Sequence, residues 1–174
     1  MINNSISKIK QNFHFESEKA LNDQININLY STYVYLSIST YFDRYDVALP
    51  GFSRLFKDCS EVERKHADKL IHYFNQRGGH LLLQDIKRPE NNEWGSCLQA
   101  LNTGLILQKQ VNASFLCLHA VSSSHNDPHL NDFIEDDFLP EKVKTIKMFS
   151  DLITKLNRCG NGLGEYLLDK ELQT

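Results

Sequence analysis

Glu63 and His66, two side chains able to bind metals or move protons, stand in the spacing Glu-x-x-His. On a helix, residues three apart are neighbours, so both would project from one face. A carboxylate beside an imidazole suits divalent first-row metals, which take oxygen and nitrogen donors. Alone, one such pair is a weak signal. Four further polar residues fall on stripes that otherwise read as core: Asn28, Tyr35, Gln108 and Lys142. Burying a carboxylate or an ammonium without a partner is expensive, so these groups should meet near one centre. Two chemistries fit. One is a structural network, a buried Glu63–Lys142 ion pair with Asn28 and Gln108 completing its hydrogen bonds. The other is a metal centre on the inner face of a helical bundle, where such motifs project inward.

The elements that must position these residues follow from where glycine and proline fall. Residues 13–42 contain neither, and a break follows over 43–51. A second run, 52–77, stops at Gly78-Gly79, a natural helix C-cap. Residues 80–95, with Pro89 and Gly95, read as a long irregular connection. A third run covers 96–124 and tolerates Gly104. Asp127-Pro128 then looks like an N-cap with proline at the first helical position, opening a fourth run to Arg158. A short fifth segment covers 163–172. As helices, the long runs would each extend roughly 40 Å at ~1.5 Å per residue. Two short connections and one long one predict an all-α fold: a four-helix bundle with a long crossover between helices two and three, plus a short fifth helix, as one domain over residues 1–174.

At ~100° per residue, Phe52, Leu55, Phe56, Cys59, Val62, Leu70 and Phe74 form one side of the second run. Arg54, Lys57, Asp58, Glu61, Lys65 and Asp68 form the other. Phe138, Leu139, Ile146, Phe149, Ile153 and Leu156 make a stripe on the fourth. The first run is apolar twice over, with Leu21, Ile25, Leu29, Thr32 and Leu36 on one face and Ile27, Tyr30, Val34, Ile38 and Tyr41 on another. A helix apolar on both sides is buried on both sides, which predicts a subunit partner against helix one.

The chain carries 19 basic and 22 acidic residues, a net charge of -3. That is no footprint for nucleic acid, whose binders are basic and patchy. No apolar run approaches the ~20 residues that span a membrane. The first ten residues lack the apolar core of a signal peptide. Cys59, Cys97, Cys117 and Cys159 show no paired metal or redox spacing, so reduced thiols in the cytoplasm are expected. The sequons at Asn3 and Asn112 read as chance, the second lying mid-helix.

Seven stretches resemble ferritin over essentially the whole chain. They are Gln11-Asn12-Phe13-His14 through Gln24-Ile25-Asn26, Tyr41-Phe42-Asp43-Arg44, Glu63-Arg64-Lys65-His66-Ala67-Asp68-Lys69-Leu70, Asn75-Gln76-Arg77-Gly78-Gly79, Leu83-Gln84-Asp85-Ile86-Lys87-Arg88-Pro89, Asn126-Asp127-Pro128-His129-Leu130 and Gly164-Glu165-Tyr166-Leu167-Leu168-Asp169-Lys170. The resemblance implies a ferritin-like subunit of a twenty-four-member cage that stores iron, assembled alone or with an oxidising subunit of the same family. It implies a channel on the four-fold axis lined by the fifth helix, with Leu167 and Glu171. A cation channel on the three-fold axis would use Asp132 and Glu135, with His119 nearby.

The family's oxidising subunits carry a di-iron centre, and this chain matches it in part. By resemblance Glu63 is the bridging carboxylate, His66 the imidazole ligand and Tyr35 a supporting tyrosine. Asn28 and Gln108 stand where the active pattern has Glu, Val62 replaces an adjacent Glu, and Lys142 replaces a Gln. Two ferrous ions bring four positive charges, which carboxylates neutralise and bridge. Here one carboxylate remains beside a lysine. The arrangement is similar to light-type subunits, which are catalytically silent. Those subunits compensate with an acidic nucleation face on helix two. Here Asp58, Glu61 and Asp68 share that face with three basic residues, as on an ordinary solvated helix.

The leading expectation is therefore an iron-storage subunit with impaired or absent ferroxidase activity. Residual oxidation of ferrous iron at a non-standard centre is the enzyme alternative. A helical interaction protein without an iron role is the third.

Overall fold

Helix boundaries fall where the sequence supplies caps. In a computed structural model, which describes residues 7–173, α1 is Phe15–Phe42, α2 Pro50–Gln76, α3 Cys97–Ser124, α4 Pro128–Asp137, α5 Leu139–Cys159 and α6 Leu163–Leu172. The Asn3 sequon lies outside the described residues. Ser96 and Gln99 form a reciprocal capping box at the start of α3. Asp127 caps α4 through the Leu130 N–H, with Pro128 in the first turn. Gly78 takes φ +76° and ends α2 as predicted: the Gly79 N–H donates to Phe74 O and the Gly78 N–H to Asn75 O. Asn126, at φ +53°, ends α3 the same way, with donation from Asp127 N–H to Ser122 O.

Helices α1 and α2 pack together, as do α3 and α5, and α1 packs on α3. This is the expected crossover bundle. Its core has two lobes. Tyr35, Phe42, Phe56 and Phe149 fill one, and Phe74, Phe115, Phe138 and Ile134 the other. Among the described residues, no helix is long and apolar enough to cross a membrane. All four cysteines are free.

Two expectations require correction. The fourth run is not one helix. Pro140 has no N–H to return to Asp136, and the chain breaks at Phe138 (φ −125°, ψ −49°), dividing it into α4 and α5. The second apolar face of α1 is left for another subunit only in part, since Ile27, Tyr30 and Tyr41 stay half-buried. Val34 and Ile38 are buried within the chain itself. They belong to the core cluster that Trp94 of the crossover joins, and the crossover runs along α1, tied by the Asn22 side chain to the Leu82 N–H and C=O, by Trp94 Nε1 to Ser37 Oγ and by Tyr41 OH to Gly95 O. The large apolar residues α1 does expose are Phe15, Tyr33 and Leu36, and Leu36 had been expected to be buried.

Candidate metal centre

Four helices deliver one polar side chain each to the gap between the core lobes: Asn28 from α1, Glu63 from α2, Gln108 from α3 and Lys142 from α5. All four are at most 1% exposed. Glu63 is the hub. Its Oε2 accepts from Asn28 Nδ2 at 2.7 Å, and its Oε1 accepts from Gln108 Nε2 at 2.7 Å. Lys142 Nζ contacts Glu63 Oε1 and also donates to Gln108 Oε1 at 3.3 Å. Asn28 Oδ1 is occupied in turn by Gln24 Nε2 at 2.8 Å. Every donor in the cluster points at an acceptor, which requires Glu63 to be ionised. Burial pushes its carboxyl up, but the Lys142 ammonium and the Gln108 amide against it outweigh that and hold it at about 2.

His66 lies at the edge of this network. Its Nε2 meets Glu141 Oε2 at 2.9 Å, while its Nδ1 faces Glu63 Oε2 at 3.7 Å and has no hydrogen-bond partner. With Nε2 donating to Glu141, Nδ1 presents a lone pair to the centre. Glu63 Oε2 and His66 Nδ1 are thus the two donors a cation can reach. Glu63 and Lys142 sum to zero formal charge, and a second cation would find no second carboxylate inside. The donor set present does not match the needs of two ferrous ions.

Tyr35 does not join the cluster. It lies stacked with Phe56 and Phe149, and its OH donates to Gly104 O at 3.1 Å. Burial, with Cys59 and Glu63 nearby, pushes its phenol well above the usual range. Val62 is half-buried beside the hub. Sequence reasoning missed Gln24 and Glu141. Gln24 sits one turn before Asn28, a spacing that places it on the same face; Glu141 has only its adjacency to Lys142 as a signal.

The outer candidates separate. Asp132 and Glu135 are exposed on α4, and Glu135 Oε1 meets His119 Nε2 at 2.6 Å. Asp58, Glu61 and Asp68 are exposed on α2, where Arg54 stands 4.0 Å from Asp58 and Arg64 3.8 Å from Asp68. That face is mixed in charge, as its sequence indicates. On α6, Leu167 is exposed and Glu171 forms an ion pair with Lys155.

A crossover bundle with a Glu-x-x-His and its polar partners pointing inward defines a ferritin-like protein. The family model for ferritin, a ferritin-like domain, matches residues 18–159. Soma ferritin of Lymnaea stagnalis is 54% identical over 167 residues, covering 96% of each chain. The ferritin middle subunit of Salmo salar is 49% identical over 167 residues, covering 94% of this chain and 95% of its own. The chain belongs to the ferritin family, and iron storage is its broad function.

Proposed function

We propose that this chain is an iron-storage subunit that assembles with copies of itself into a hollow shell of twenty-four and sequesters ferric iron inside, with its bundle centre filled by an ion pair in place of two irons. One observation carries the reading: Lys142 Nζ sits against Glu63 Oε1 in a centre where both side chains are 1% exposed. An ammonium already neutralises the one inner carboxylate, so a divalent cation must displace it. Iron would reach the cavity by a three-fold channel lined by Asp132 and Glu135, whose exposed carboxylates can form cation-attracting rings. Self-association is supported by apolar side chains left in solvent: Tyr33 and Leu36 on α1, and Leu82, Leu83 and Ile86 on the crossover. Four free thiols suit a reducing cytoplasm.

Anaerobic ferrous titration of the purified shell tests this reading. No tight ferrous site at the bundle centre is expected, while the shell still accumulates ferric iron when oxidant is supplied. Two tight ions per subunit at Glu63 would overturn it. A small, non-assembling protein that retains no iron would favour the plain helical interaction module.

A second reading is residual ferroxidase activity, favoured by His66 Nδ1. A buried nitrogen without a hydrogen-bond partner, 3.7 Å from a carboxylate oxygen, can serve a single ferrous ion once the Asn28 amide turns its oxygen inward.

A further inference from the structure

A second set of metal-binding side chains gathers at the far end of the molecule, away from the Glu63 hub. His14 is the N-cap of α1, Glu16 lies in its first turn, and His125 is the C-cap of α3. One donor atom from each lies within 4.8 Å of the others. The two imidazoles stack with centroids 3.6 Å apart, and His125 Nε2 meets Glu16 Oε2 at 2.7 Å. The distance along α1 from here to Asn28 is roughly 20 Å at ~1.5 Å per residue, so the cluster is independent of the bundle centre.

The backbone beneath these side chains is held on both sides. Arg77 grips Asp127 with both terminal nitrogens, at 3.1 and 2.9 Å, and donates to Asn12 O at 2.8 Å. Asn12 Nδ2 in turn donates to Asn126 O at 3.0 Å. The segment before α1 is therefore tied to the turn after α3, and His14 faces His125 across that tie. The side-chain ends are partly or fully in solvent and free to adjust.

We propose that His14, Glu16 and His125 form a binding site for a divalent transition-metal ion of the zinc type. Two imidazoles and one carboxylate are a donor set for such ions, where calcium and magnesium prefer oxygen alone. Donors on one tetrahedral zinc, each at 2.0–2.2 Å, lie about 3.4 Å apart, so a cluster whose donors lie within 4.8 Å of one another contracts by up to roughly 1.5 Å on binding. Ring lone pairs lie in the ring plane, so one imidazole swings out of the stack to converge on the ion. The ion takes the place of three arrangements: the long 3.3 Å contact from the Glu16 N–H to His14 Nδ1, the His–His stack, and the 2.7 Å hydrogen bond between His125 Nε2 and Glu16 Oε2, whose proton passes to water. The remaining coordination positions face water.

The test uses the purified protein in its native assembly state and zinc alone. Crystals soaked in zinc are examined by anomalous diffraction, and zinc titration calorimetry is run near neutral pH on the unmodified protein, His125→Asn and Glu16→Gln. Zinc on all three side chains is expected, with each variant losing one class of site per subunit while its assembly size and helical spectrum stay unchanged. Two variants on different helices keep the result readable if one of them misfolds. An anomalous map without zinc at His14, or variants whose isotherms match the unmodified protein, overturns the proposal.

Discussion

Lys142 Nζ touches Glu63 Oε1 at the centre of the bundle, where α2 and α5 bring opposite charges together with each side chain 1% exposed. Asn28 and Gln108 each donate a further hydrogen bond to Glu63. The centre is thus a buried polar network built on an ion pair, and that pairing has energetic and functional consequences.

Removing one charge should be far worse than removing both. Lys142→Met leaves Glu63 buried and uncompensated, at a cost of about 3–5 kcal/mol. Glu63→Gln with Lys142→Met should recover most of that loss. Denaturant unfolding of the two single variants and the double measures the coupling. Additive effects would mean that the two residues do not act as a pair.

The same pair makes stability depend on acid. Glu63 is held at about 2 when folded, against 4.5 as its ordinary value. The folded state therefore binds fewer protons, and the stabilisation is complete above about pH 4.5 and lost as pH falls toward about 2. The doubly substituted protein should lose less stability over that window, by on the order of 2–3 kcal/mol. Unfolding curves across the window check this, and identical acid sensitivity would contradict it.

Gly104 is required by a close approach. A Cβ there would lie 2.5 Å from the Phe149 ring, and the Gly104 carbonyl accepts from Tyr35. Gly104→Ala should cost about 1–3 kcal/mol by overpacking, against the small gain alanine normally brings to a helix interior. Thermal unfolding distinguishes the two, since a stabilised variant would mean that the aromatic stack yields.

Much of this was legible before any coordinates. Sparse glycine and proline set the helices, and Glu63 and Lys142 were the opposite charges on inward stripes, so their meeting followed from the cost of burying either alone. What was not legible has physical reasons. Periodicity shows that a face is covered, not by what, so Val34 and Ile38 were assigned to a partner when they are buried in the chain's own core. Gly104 read as tolerated because nothing local announces Phe149 from another helix. Asp169 went unnoticed as a site: it is buried, and its Oδ1 accepts from the Phe52 N–H, capping α2 from α6 at 3.0 Å. Leu49, at the N-cap of α2, has no side chain that can do this.

The proposed channel makes a kinetic prediction. Asp132→Ala with Glu135→Ala should slow iron uptake by the shell while leaving assembly intact. The effect should be largest at low ionic strength, where screening is weakest. Stopped-flow uptake measurements check it, and unchanged uptake at low salt would count against these carboxylates as guides.

The central claim is that Lys142 and two amides hold Glu63 where the resemblance to ferritin places iron. Oxygen consumption with ferrous iron by the assembled shell tests it most directly, comparing the unmodified protein with Asn28→Glu, Gln108→Glu, Lys142→Gln combined. Restoring carboxylates and removing the ammonium should produce fast ferrous oxidation in the triple variant and leave the unmodified protein slow. Equal rates in the two proteins, at the speed of the triple variant, would contradict the account.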